Sequence, residues 1–373
     1  MTSPLSEAPS ELIPVSEPQL AGNEADYLLD AVRSTWISSS GKYLDRFEAM
    51  FAEYVGARHA LAVSNGTAAL HLALSALKLS PGDEVIVPNL TFIASANVVV
   101  HAGLVPVLAD SEPDTWNLSV SSVARLISNR TRAIMLVHLY GNPCAMDGLL
   151  TLAKESGLIV IEDAAEAVGT RYRGRHVGAL GRVGTFSFYG NKTITTGEGG
   201  MIVTDDAALA ARMKLLKNHG MSPTAKYWFD EIGFNYRMTN LQAAVGCAQL
   251  ERVDSLVEAK KRNAALYHQL LSPRFVRPRA EAHGTHSYWM FCVVLPDGVS
   301  REAFAAGLRA RGIDSRPLFH PLSTMPPYRN HRHELSEETR RIALQGINLP
   351  SSARLTEEQI ARICAAANTL LAT

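Results

Sequence analysis

Lys192 stands at the centre of the residues that could do chemistry. It closes Ser187-Phe188-Tyr189-Gly190-Asn191-Lys192, and TITTGEGG follows it. A segment dense in Gly and Thr lets backbone come close to a ligand. A lysine in a partly desolvated site has a lowered pKa and can form a Schiff base. The bland alternative is a solvated lysine among turn glycines. Asp163 ends the run Leu158–Asp163, LIVIED. A carboxylate at a strand's carboxyl end faces the ligand side of a parallel sheet, although turns favour Asp as well. Ser64-Asn65-Gly66-Thr67 stands directly before the helical run Ala68–Leu77. Free N–H groups and a positive dipole end suit a phosphate there. An ordinary helix cap would carry the same residues.

Each signal is weak alone, and the set is not. Pyridoxal phosphate needs a phosphate cradle, an acid that keeps its ring nitrogen protonated, and a lysine for its aldehyde. The chain offers the three in order, each at the end of an element. A nicotinamide cofactor fits less well. No GxGxxG follows the first strand, and GEGG at 197–200 lacks the strand–turn–helix context. None of the 12 histidines falls in an HExxH spacing, and His331-Arg332-His333 reads as a solvated loop.

Elements of alternating type must position these residues. Glu84–Pro88, Val105–Asp110, Ala133–His138 and Leu158–Asp163 read as buried strands, with helical stretches such as Ser119–Ile127 and Met146–Ser156 between them. That alternation predicts an α/β fold with a mainly parallel sheet covered on both faces. Gly184–Tyr189 and Gly200–Thr204 are joined by a link too short for a helical crossover, so they form an antiparallel pair and the sheet is mixed. A long helical stretch runs from Asn240 to about Leu271. Residues 1–13, rich in Ser, Pro and Glu, are expected to be loosely ordered. Residues 14–250 form the large domain. Residues 251–373 form a smaller α+β domain with a strand over His286–Leu295 and helices near 301–311 and 355–371.

The chain's 373 residues suit two domains. Formal net charge is zero and no basic stripe appears, so nucleic acid is not an expected partner. The four cysteines form no CxxC pair, which argues against disulfides or structural zinc and for reduced, buried thiols. MTSPLSEAPSELIPVSEP has neither the basic start nor the apolar core of a signal peptide. No apolar run reaches the roughly 20 residues that span a bilayer. No membrane association is expected, and the cytoplasm is the expected compartment.

SNGTAALHLAL, DEVIVP, HLYG, IEDAAEA, TFSFYGNKTITTGEGGMIVTDD and GFNYRMTNLQAAVGCAQLE resemble the DegT/DnrJ/EryC1/StrS sugar aminotransferase family. The likeness begins near Pro14, and the block 161–204 is its most specific part. It implies a pyridoxal-phosphate-dependent fold of type I, like aspartate aminotransferase, in a homodimer whose active sites are shared between subunits. It implies that Lys192 carries the Schiff base and that Asp163 partners the ring nitrogen. It puts Glu166 near the ring hydroxyl, where the wider family usually has Gln. Phe92, in LTFIASAN, matches the aromatic stacked on the ring. Gly66, Thr67 and Ser187 match phosphate contacts, and Asn235 matches a residue reaching the phosphate from the neighbouring subunit. Each has a bland alternative: a core ring for Phe92, a buried hydroxyl for Ser187, a turn for Asn235, a solvated carboxylate for Glu166. Arg237, Arg316 and His320 are candidates to face the sugar nucleotide, with surface pairing as the alternative.

STWISSSGKYLDRFE, AKYWFDEIGFNYRMTN and RPLFHPLSTMPPY resemble those family members that aminate C4 of GDP-4-keto-6-deoxymannose. The resemblance implies L-glutamate as amine donor, a nucleotide-linked keto sugar as acceptor and the pyridoxamine phosphate form between them. Amination at C3, or of a dTDP- or UDP-linked sugar, uses the same cofactor residues. The family's dehydratases resemble these enzymes but carry His at the lysine position, and Lys192 argues against that chemistry. A non-catalytic regulator would lack the lysine or the acid, and both are present.

Overall fold

The computed structural model describes residues 12–372. In chain order the strands are β1 His59–Val63, β2 Glu84–Pro88, β3 Val105–Ala109, β4 Thr131–Val137, β5 Ile159–Asp163, β6 Arg171–Tyr172, β7 Arg175–His176, β8 Val183–Ser187, β9 Gly200–Thr204, β10 Gly284–Thr285, β11 Phe291–Val294, β12 Arg316–Pro317 and β13 Gly346–Leu349. Seven form the central sheet in the order β1-β9-β8-β5-β4-β2-β3. From β8 to β3 neighbours are parallel, while β9 runs antiparallel to both β1 and β8. The expected mixed, mainly parallel α/β sheet is present, including its antiparallel pair. Every residue of β2, β8 and β9 is buried, as unbroken apolar strands covered on both faces require. Ile86 joins one core cluster with Phe47, Phe51 and Phe186. Val85 and Val87 join another with Leu70 and Leu72. Alternation along β2 therefore puts the two clusters on opposite faces.

Four helices precede or connect the first strands: α1 Glu24–Arg33, α2 Lys42–Val55, α3 Gly66–Ala76 and α4 Ala94–His101. The sequence gives no strong pattern for β1, whose antiparallel register on β9 runs from His59↔Thr204 to Val63↔Gly200. β11, β13 and β12 build a separate sheet, in that order. A core cluster containing Leu90, Tyr140, Trp289 and Leu318 joins that sheet to the loops of the central one.

Two expectations need correction. The helical stretch after Asn240 is two helices, Asn240–Leu250 and Val253–Leu270. Neither Gly nor Pro marks the break at Glu251–Arg252. The strand expected over His286–Leu295 shrinks to Phe291–Val294, because Tyr288 adopts a left-handed φ of 52° that no extended strand accommodates. Residues 1–11 of the expected loose segment lie outside the described residues. Ile13, at its end, is 3% exposed and bridges Ile313. All four cysteines are free and buried. No described helix is long and apolar enough to cross a membrane.

Candidate active site

The parallel strands β2, β4, β5 and β8 end along one edge of the sheet, and a cavity of about 790 Å³ lies against it. Its wall includes Gly66, Thr67, Phe92, Asp163, Glu166, Ser187, Lys192 and Arg316. Residues read from segments up to 250 positions apart thus share one space. Asn235, Arg237 and His320 are not on that wall. Asn235 is exposed and accepts Arg237 Nε–H at 2.9 Å.

The floor follows from strand alternation. Asp163 ends β5, and its Oδ2 accepts Ser95 Oγ–H at 2.8 Å while Oδ1 accepts Ala165 N–H at 3.1 Å. Burial raises its pKa. Glu162, one residue earlier, faces the other side of the sheet. There it accepts His138 Nε2–H at 3.0 Å and the N–H groups of Gly178, Leu180 and Gly181. Burial pushes Glu162 up, but these donors outweigh it and hold the carboxyl low. Asp163, not its neighbour, is the acid that reaches the cavity.

Glu166 is 4% exposed, and Tyr140 N–H donates to its Oε2 at 2.7 Å. Tyr140 presents that N–H from a left-handed turn, φ 54° and ψ 15°. Burial pushes the Glu166 carboxyl up to about 7, against the pull of Lys192. Lys192 lines the cavity, and burial lowers its pKa against the pull of Glu166 and Asp163. Among the described residues no carboxylate lies within ion-pair distance of its Nζ.

The cradle is backbone. Asn65 caps α3, its side chain accepting Ala68 N–H at 2.8 Å. Gly66 and Thr67 occupy the first two helical positions, whose N–H groups have no partner within the helix. A Cβ on Gly66 would stand 2.8 Å from Ser187 Cβ, and one on Gly200 would stand 2.6 Å from Asn65 O. Only glycines let β8, β9 and the helix start close this tightly. Phe92, 55% exposed, covers the cavity from the loop after β2, its ring 5.8 Å from that of Phe319. Asn191 Oδ1 and Thr91 Oγ1 are buried without partners on residues of the same wall. An anion cradle, a buried acid, a lysine and an uncovered aromatic face fit pyridoxal phosphate.

Sequence reasoning missed Ser95, Tyr140, Trp289 and Phe319. Tyr140 lay inside the quoted HLYG motif, and nothing in residue type or spacing foretold its left-handed backbone. Trp289 lay in a stretch read as strand.

The pattern of the DegT/DnrJ/EryC1/StrS aminotransferase family matches residues 18–368. The chain is 51% identical to the GDP-perosamine synthase of Caulobacter vibrioides over 364 residues, covering 96% of this chain and 98% of that protein. It is 46% identical to the GDP-perosamine synthase of Escherichia coli O157:H7 over 358 residues, covering 95% and 98%. Its fold is similar to that of Helicobacter pylori PseC, an aminotransferase of pseudoaminic acid biosynthesis, with a TM-score of 0.93 at 26% identity over 97% of this chain and 100% of that one.

Proposed function

The chain belongs to the DegT/DnrJ/EryC1/StrS aminotransferase family, and on that premise we propose that it moves the amino group of L-glutamate to C4 of GDP-4-keto-6-deoxymannose, giving GDP-perosamine. One observation carries the reading. Lys192, Asp163 and Glu166 converge on a single cavity, in a chain 51% and 46% identical along nearly its whole length to two GDP-perosamine synthases.

Held here, pyridoxal phosphate would supply an aldehyde able to form a Schiff base with Lys192, a protonated ring that accepts an electron pair and, in its pyridoxamine phosphate form, the amine to be passed on. The side chains do the rest. Lys192 Nζ takes and returns the proton at the reacting carbon, and the burial that lowers its pKa makes the ammonium a readier proton donor. Asp163 accepts the ring N–H, with Ser95 and Ala165 fixing its two oxygens. Glu166 faces the ring hydroxyl, and Phe92 covers the ring. Gly66, Thr67 and Ser187 hold the phosphate. Arg316, on the cavity wall, is assigned to the sugar nucleotide, and so are His320 and Arg237, which are not on that wall. Asn235 reaches the phosphate in the partner of a homodimer. The compartment we assign is the cytoplasm.

The test is a substrate panel. The protein is incubated with pyridoxal phosphate, L-glutamate and 4-keto and 3-keto nucleotide sugars, and the products are identified by mass and NMR. The expected product carries a C4 amine and forms from GDP-4-keto-6-deoxymannose. Amination of 3-keto sugars alone, or a deoxygenated sugar without an amine, overturns the reading. Lys192→Ala should abolish turnover, and borohydride should no longer fix the cofactor to the chain. Full activity in that variant would remove Lys192 from its role.

A further inference from the structure

Trp289 touches Lys192 in two ways. Its ring centroid lies 3.6 Å from Lys192 Nζ. Its Nε1–H donates at 2.8 Å to the carbonyl of Asn191, the residue directly before Lys192. The same carbonyl accepts Ser16 Oγ–H at 3.2 Å. One side chain therefore contacts both the tip of the lysine and the main chain that carries it. The indole is itself fixed. It is 6% exposed, and the ring of Tyr140 stacks over it at 6.1 Å and 17°. Phe319 stacks on Tyr140 at 5.2 Å and 15°. Tyr140 is also the residue whose N–H holds Glu166.

We propose that Trp289 is a positioning residue for Lys192: its π face seats the ammonium inside the cavity, and its N–H holds the backbone from which the lysine extends. A cation over an indole face is attracted by the ring quadrupole, more strongly where water is excluded. The choice of partner matters chemically. A carboxylate at ion-pair distance would form a charge-assisted hydrogen bond and keep the proton. A π face accepts no proton and offers no lone pair that competes for it. It stabilises the charged amine while offering no acceptor that could take the proton in place of the reacting carbon. A tryptophan that only filled the core would still need a partner for its N–H, but not the face-on contact with the lysine tip.

The consequence for catalysis rests on the reading of Lys192 as the cofactor lysine, but the contact can be tested without cofactor. The cofactor-free protein is exposed to trinitrobenzenesulfonate across a pH series, and modification at Lys192 is followed by peptide mass. The midpoint reports the pH at which the amine becomes neutral. In Trp289→Leu the charged form loses its seat, so the midpoint should fall by about one pH unit, the scale of a desolvated cation–π contact. Trp289→Phe keeps a weaker face and should fall by less. A midpoint that is unchanged or higher in Trp289→Leu overturns the proposal. Should Trp289→Leu fail to fold, Trp289→Phe decides alone: a fall supports the seat and an unchanged midpoint rejects it. Borohydride trapping of the cofactor on another lysine would overturn the functional reading and leave this midpoint shift standing, so the two failures are distinguishable.

Discussion

Glu166 is the residue of this cavity whose chemistry depends most directly on pH. The wider family resemblance expects an amide there, which donates an N–H at every pH. A carboxyl donates only when protonated. Burial raises the Glu166 pKa to about 7, so the donor is present below that pH and is lost as pH rises through it. If Glu166 faces the cofactor's ring hydroxyl, cofactor affinity in the native protein should fall about tenfold more than in Glu166→Gln between pH 6 and pH 8, following the protonated fraction of a group with that pKa. Equilibrium titration of the cofactor at the two pH values measures this. Parallel pH profiles in both proteins would separate Glu166 from the ring. Legibility at this scale divides along the same line. Asp163 is readable because it ends β5, where side-chain direction follows from the sheet, and Lys192 because a Gly- and Thr-rich segment surrounds it just past β8. Tyr140 and Trp289 are not, because their contacts depend on a left-handed turn and on a small sheet folding back over the central one.

The helix start after β1 positions the anion cradle. Asn65 sets the cap, and Gly66 lies where the main chain of β9 and the side chain of Ser187 come closest. Gly66→Ala would put a Cβ 2.8 Å from Ser187 Cβ, so one of the two must move. Overpacking of this kind costs about 1–3 kcal/mol. Felt only at the phosphate, that is roughly a ten- to hundredfold weaker affinity for pyridoxal phosphate, with little change for pyridoxal, which has no phosphate. Isothermal titration with both compounds separates the cases. An equal loss for both, or none for either, would show that the glycine serves packing alone. Legibility at the element scale follows from how local the cause is. The parallel strands announce themselves because burial on both faces demands unbroken apolar runs. The break at Glu251–Arg252 does not. It falls where Glu251 accepts Arg46 Nη2–H at 2.7 Å and Tyr27 Oη–H at 2.7 Å, a long-range pairing with α2 and α1 that leaves the helical periodicity intact.

For the whole molecule the question is whether Asn235 serves a cavity whose wall, in its own chain, it does not line. Phe234 and Tyr236 stack on each other at 4.8 Å and 6°, and both pack on His71 of their own α3. Alternation along this extended segment then turns Asn235 and Arg237 outward together, which matches the 2.9 Å bond between them. The flanking segment exposes Tyr227, Trp228 and Ile232 at 76%, 65% and 94%. Large apolar side chains so uncovered are the usual mark of a surface that another chain covers. In a twofold dimer the same segment would enter each neighbour's cavity. Shared sites make a prediction that separate sites do not. Lys192→Ala and Asn235→Ala each damage one component of every site in their own homodimers. Mixed and allowed to exchange subunits, half the dimers become hybrids, and each hybrid has one site with both defects and one with none. Activity should therefore recover to about a quarter of the native value, as the symmetry of a two-site dimer dictates. A mixture no more active than the average of its two components, with hybrids verified by a size tag on one subunit, would place Asn235 in the service of its own chain and dissolve the shared site.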